Sequence, residues 1–162
     1  VFTFTKKTDY AMLALSYLAT EGVGKVTGPR EIARRYEIPP ELLAKVMQAL
    51  SRKEIVVSIP GPTGGYRLER SASDISIGEI IEAVDGPLAI AQCWESDGLS
   101  GCQQAQHCHL RGPLAQIQEE ITLLLQRMTL ADVCVSQPPE VTPREFTTGR
   151  TLTMVDAPPV GS

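Results

Sequence analysis

The chain has no long apolar run. Nothing in its 162 residues approaches the roughly 20 consecutive apolar residues that cross a bilayer as a helix. The first residues also lack the charged and then apolar pattern of a secretory signal. A cytoplasmic protein with no membrane partner is expected. Histidine is scarce, with two in the whole chain, and no Ser/His/Asp or Cys/His arrangement is set out. The glycine-rich stretch from Gly61 to Gly65 leads into a strand pattern, not a helix, so it does not read as a nucleotide-phosphate loop. An enzyme is therefore not expected. There is no internal repeat, and no close Cys-x2-Cys pair of the kind that structural zinc sites favour.

What is present suits one compact domain with an appendage. Hydrophobic residues make up 43%, enough for a core, and the net charge is only −4. The distribution is uneven. Residues 1–70 hold 11 Lys/Arg against 7 Asp/Glu, whereas residues 71–162 hold 4 against 12. A basic front and an acidic back suit a protein that turns one face to phosphate.

The spacing predicts a helix over 8–20, capped by Thr8 or Asp9, with Tyr10, Leu13, Ala14, Tyr17 and Leu18 repeating. Thr27 is the cap candidate for a second helix, with Pro29 in its first turn and Ile32, Ala33 and Tyr36 inward. After the turn Glu37-Ile38-Pro39-Pro40, a third helix is expected over 41–53. Leu42, Leu43, Val46, Met47 and Leu50 would be buried. Two short helices joined by a tight turn make a helix-turn-helix, and the second would enter the major groove. The β-branched run 55–59, the turn 60–65 and the return Tyr66-Arg67-Leu68 add a hairpin. The fold class is thus mostly α with a small β-hairpin wing, a winged helix-turn-helix. Lys45, Gln48 and Arg52 are candidates for base edges or phosphates. Arg30, Arg34, Arg35 and Arg67 are phosphate candidates, with Arg35 or Arg67 alternatively pairing with Glu37 or Glu69. Gly64 and Gly65 would let the wing backbone approach DNA closely.

Ser76 and Glu79 fit a capping box for a connecting helix that carries Ile77, Ile80, Ile81 and Val84 inward. Pro113 opens a last helix. Leu114, Ile117, Ile121, Leu124 and Met128 step along it as an a/d seam, and Leu130 widens that surface. We read it as a homodimerisation helix, the alternative being a helix packed on its own domain. The layout is a reader over 1–70, a connecting helix and linker over 71–92, a cysteine loop over 93–112, the dimer helix over 113–134 and a disordered tail over 135–162, where five prolines fall.

Three of the four cysteines, Cys93, Cys102 and Cys108, lie within sixteen residues, spaced Cys-x8-Cys-x5-Cys, with His107 and His109 flanking the third. Thiolates hold iron–sulfur clusters, which generally need a fourth ligand. Cys134 lies beyond the long helix, so the fourth would come from Asp9, His107, His109 or another donor. Zinc on three cysteines and a histidine is the competitor, and a thiol switch is the third option.

The chain resembles the bacterial winged-helix regulators that include IscR, the nitric-oxide sensor NsrR and the regulators of Suf cluster-assembly operons. The residues that carry this are Thr8-Asp9-Tyr10-Ala11, Ile32-Ala33, Gly61-Pro62-Thr63-Gly64-Gly65-Tyr66-Arg67-Leu68, the run from Ile75 to Leu88, and the three-cysteine loop. Gly86-Pro87-Leu88-Ala89 before Cys93, with Thr129-Leu130-Ala131-Asp132, looks most like the Suf-system members. The resemblance implies a homodimeric transcription regulator, usually a repressor, that binds double-stranded DNA. It also implies an iron–sulfur cluster, 2Fe–2S or 4Fe–4S, with Cys93, Cys102 and Cys108 as ligands. The first gap is longer than in the IscR and NsrR patterns, and Arg111 stands where an IscR-like histidine would. NsrR-like members take an aspartate from the other subunit, and Asp9 matches its position. Cluster-assembly genes would be the target. A nitric-oxide or redox-sensing repressor is the alternative, and a cluster carrier or structural-zinc protein without sensing is the alternative of another class.

Overall fold

The computed structural model describes residues 4–90 and 107–134. Cys93, Cys102 and the tail expected over 135–162 lie outside the described residues.

Helix α1 spans Lys6–Thr20 and starts earlier than expected. Thr5, not Thr8 or Asp9, caps it, its hydroxyl accepting from the Lys7 and Thr8 N–H groups. The buried face is also turned from the expected one. Ala11, Ala14, Leu15 and Leu18 form it, while Leu13 is exposed. Thr8 is buried and donates its hydroxyl to Asp85 at 2.6 Å, as Thr5 does. One carboxylate thereby ties the start of α1 to the end of a helix 80 residues away.

Helix α2 spans Pro29–Arg35 and is capped by Gly28 with Pro29 at its first position. Thr27 does not cap it. It is buried and exchanges two main-chain hydrogen bonds with Tyr66, each 2.9 Å. Helix α3 spans Pro40–Arg52, and Leu43, Val46, Met47 and Leu50 are its buried face. Leu42, expected inside, is 41% exposed because it stands about 100° round the helix from that face. The turn between α2 and α3 passes through Glu37 at φ 52, a left-handed conformation that puts buried Ile38 between the helices.

The wing is an antiparallel pair, β1 Val56–Ile59 and β2 Gly65–Leu68, in register Val56 to Leu68 and Ile59 to Gly65. A 3-10 turn over Ala72–Asp74 follows. Helix α4 spans Ile77–Asp85, with the expected capping box of Ser76 and Glu79. Burial works to raise the Glu79 carboxyl, but hydrogen bonds from the Ser76 N–H and from Arg70 outweigh it and hold it below the usual range.

The single helix expected over 113–134 is two. Helix α5 spans Arg111–Arg127 and starts before Pro113. Met128 is its extended C-cap, and helix α6 spans Leu130–Cys134. The break arises because Thr129 bridges to Ser76 and drives Leu130 into the core, fully buried, instead of onto an outer seam. Thr129 also donates its N–H and hydroxyl to Asp132, both 2.8 Å, and these bonds lower the Asp132 carboxyl pKa. Cys134 ends the described chain with its thiol directed at the Ser16 hydroxyl, 3.5 Å away.

Two outcomes follow for stability. A Cβ at Gly65 would land on the Thr27 carbonyl oxygen, so Gly65→Ala forces the wing off Thr27. The expected cost is about 2–3 kcal/mol from overpacking and two weakened hydrogen bonds, read as a lower urea midpoint. The Tyr17 hydroxyl donates to Glu31 at 2.6 Å, and that bond, helped by burial, pushes the phenol up from 10.0 to about 12. A raised folded value gives stability that is complete below about pH 10 and lost as pH rises through about 12. Tyr17→Phe should therefore lose less stability than the parent between pH 10 and 12 in thermal melts.

Candidate nucleic-acid interface and metal centre

On α3 the buried residues Leu43, Val46, Met47 and Leu50 fix the helix roll. At about 100° per residue, Glu41, Lys45, Gln48 and Arg52 fall in one stripe on the opposite side, and all four are exposed. Arg30 and Arg34, one turn apart, are exposed on α2. Glu41 belongs to this stripe beside the expected Lys45, Gln48 and Arg52. Its signal was the same spacing, i to i+4 to i+7 to i+11, and a carboxylate there can accept from a cytosine amino group.

Charge pairing separates two sets of cations. Lys6 pairs with Asp9, Lys7 with Asp85, Arg35 with Glu21, Lys53 with Glu82 and Arg70 with Glu79, at 3.0–3.9 Å. Arg35 is thus neutralised by Glu21 and not by Glu37. Among the described residues, no carboxylate lies within salt-bridge distance of Arg30, Arg34, Lys45 or Arg52, so the helix-turn-helix carries unneutralised positive charge, as Lys25, Arg67, Arg111 and Arg127 do elsewhere. Exposed Arg67 on the wing donates from Nη1 to the Leu68 carbonyl at 3.4 Å and not to Glu69.

The wing glycines have structural reasons of their own. Gly65 is buried against Thr27, and that close backbone approach by itself requires glycine there. A Cβ at Gly64 would land on the Ile59 carbonyl oxygen, which fixes glycine there for the tight turn.

His107, Cys108 and His109 are exposed in the turn that leads into α5. In kind, thiol, imidazole and carboxylate donors fit iron or zinc. Among the described residues no three His, Cys, Asp or Glu side chains come together. Cys93 and Cys102 lie outside the described residues. Asp9 stands in the first turn of α1 with its side chain 47% exposed, 3.9 Å from the Lys6 ammonium.

No residue of α5 is buried. Leu114 and Ile121 are half-buried, and Ile117 and Leu124 are 49% and 56% exposed, so the seam faces away from the chain's own core. Met128 is exposed too, but it lies past the helix end.

The pattern of the Rrf2 family, described as an iron-dependent transcriptional regulator, matches residues 4–136. Protein aau3 of Rhizobium meliloti (strain 1021) is 33% identical over 134 residues, 83% of this chain and 86% of that one. The HTH-type transcriptional regulator NsrR of Oceanobacillus iheyensis is 30% identical over 128 residues, 79% of this chain and 86% of its own. The solved structure of IscR from T. potens superposes with a TM-score of 0.62, covering 82% of this chain and 85% of that one. At 23% identity that is a likeness of fold.

Lys45→Ala should weaken binding to a promoter fragment across sequences alike. It should also reduce the slope of log K against log salt by about one per subunit, measured by fluorescence anisotropy over a salt series.

Proposed function

Because the chain belongs to the Rrf2 family of iron-dependent transcriptional regulators, we propose that it is a homodimeric repressor whose grip on DNA is set by an iron–sulfur cluster. It is a DNA-binding regulator and not an enzyme; the cluster, the dimer and the target are the steps proposed. Cys93, Cys102 and Cys108 would supply three ligands, with Asp9 of the partner subunit, His107 or His109 as the fourth. When bound, the cluster supplies a redox-labile crosslink between segments of the loop. Iron–sulfur assembly genes of the Suf type are the proposed target. Likeness to the Oceanobacillus iheyensis NsrR favours a second reading, a nitric-oxide or redox-responsive repressor with the same parts.

The observation that carries the reading is the adjacency of loop and seam. Cys108 precedes α5 by three residues, and the outward apolar side of α5 begins at Leu114. Arg30, Arg34, Lys45, Gln48 and Arg52, with Arg67 on the wing, would meet DNA from residues 1–70. Residues 71–92 would connect, 93–112 would hold the cluster and the α5 seam would join two subunits. Pairing two readers through α5 would fix the distance between the two α3 helices, which has to match half-sites about 34–36 Å apart. Ordering the loop would bias that distance.

The test is an absorption spectrum of protein purified without oxygen, with iron, sulfide and zinc assayed on the same sample. Visible absorption with matching iron and sulfide is expected, lost in Cys108→Ser. Promoter affinity should differ about tenfold between cluster-loaded and metal-free dimers at equal salt. A colourless protein with stoichiometric zinc would reduce the loop to a structural clasp.

A further inference from the structure

Gln118 lies on α5 roughly a quarter turn round from the seam. Its side-chain amide makes two main-chain hydrogen bonds to the segment that enters the cysteine loop. Nε2 donates to the Leu88 carbonyl at 2.6 Å, and Oε1 accepts from the Ile90 N–H at 2.9 Å. A carbonyl and an N–H two residues apart are what a neighbouring parallel strand would engage, so the amide stands in for a strand that is not there. Thr122, one turn on, accepts from Nε2 at 3.4 Å and anchors its own hydroxyl on the Gln118 carbonyl at 2.8 Å. Reversing the amide would set donor against donor and acceptor against acceptor, so its orientation is fixed by the two main-chain groups.

The position of this contact gives it a meaning beyond packing. Cys93 follows Ile90 by three residues, and Cys108 precedes α5 by three. One end of the cysteine loop is therefore joined to α5 by the chain itself, and the other end by Gln118. A cavity of about 300 Å³, bordered by Pro87, Leu88, Gln118 and Thr122, gives the segment room to shift once released. Leu88, Ile90 and Gln118 are half-buried, so the polar groups do not simply exchange protein for bulk water.

We propose that Gln118 is a positioning residue for the cysteine loop, holding the loop's entry on the same helix that carries the seam. Through it, a change in the loop reaches α5 from both ends. This rests on the cluster-governed reading above, and its test is built to fail separately from that reading.

The full chain is compared with Gln118→Met, which keeps the length and removes donor and acceptor, and with Gln118→Glu, which keeps the acceptor for Ile90 and loses the donor to Leu88. Four quantities are read: thermal midpoint, amide exchange at Ile90 in the metal-free protein, iron and sulfide taken up from ferrous iron and inorganic sulfide, and the loaded-to-metal-free ratio of promoter affinity. In Gln118→Met, Ile90 exchange should accelerate about tenfold with the midpoint held within about 2 °C. Either iron and sulfide content or the affinity ratio should fall about fivefold, with Gln118→Glu intermediate. The proposal is overturned if Ile90 exchange is unchanged, if content and ratio both stay at the parent's values, or if every change merely tracks a lower midpoint. If the parent itself takes up no iron and sulfide, the cluster reading fails alone, and Ile90 exchange by itself upholds or overturns the clamp.

Discussion

The Leu130 N–H donates to the Ile75 carbonyl and the Ile77 N–H donates to the Met128 carbonyl, both at 2.8 Å. Ile75 and Leu130 are fully buried on either side of this short bridge. These two bonds fix where everything after the wing can lie. They stop α5 at Arg127, turn the chain at Met128 and dock α6 on α1 and the 3-10 turn. Because the bridge holds the C-terminal end of α5 against the reader, the rest of α5 need not be buried to be placed, and none of it is. An apolar helix side is thereby held outward without unfolding the domain that carries it.

Electrostatics divides the same surface by function. Cations near α4 and the start of α1 have carboxylate partners and act as ties between elements, each exposed pair contributing little to stability. Arg30 and Arg34 on α2 and Lys45 and Arg52 on the α3 stripe have no such partner among the described residues, so their field is available to a polyanion.

The parts legible in the sequence were those set by local chemistry. The two short helices, the hairpin and the Ser76–Glu79 box follow from apolar period, β-branching and side-chain reach. What the sequence hid were choices made by distant partners. Thr27 looks like a helix cap until Tyr66 is beside it. Leu130 looks like a residue that widens the apolar surface of α5, yet the Ser76–Thr129 bridge breaks the helix and sends that side chain inward. Leu13 and Leu42 look as apolar as their buried neighbours, and only packing decides that Ala11, Leu15 and Leu43 face in. Gln118 is the hardest case, because a glutamine on a helix ordinarily reads as a solvated residue. On the candidate site, the α3 stripe could be read from spacing once the buried face was known. The cysteine loop was legible only as a set of donors, since spacing does not say which of Asp9, His107 or His109 completes it.

A helix anchored in the core at its C-terminal end and unburied along its length behaves as a lever. The seventeen residues of α5 make an arm of about 25 Å at 1.5 Å per residue. Its fulcrum is the Ile75–Leu130 bridge, Gln118 ties its middle to Leu88 and Ile90, and its far end leads to Cys108. A tilt of about 5° moves that end by roughly 2 Å. In a two-fold pair, each arm would add its own displacement. If two copies pair through α5, a rearrangement of a few bond lengths at the cysteines would be enough to shift the two α3 helices relative to a fixed half-site spacing.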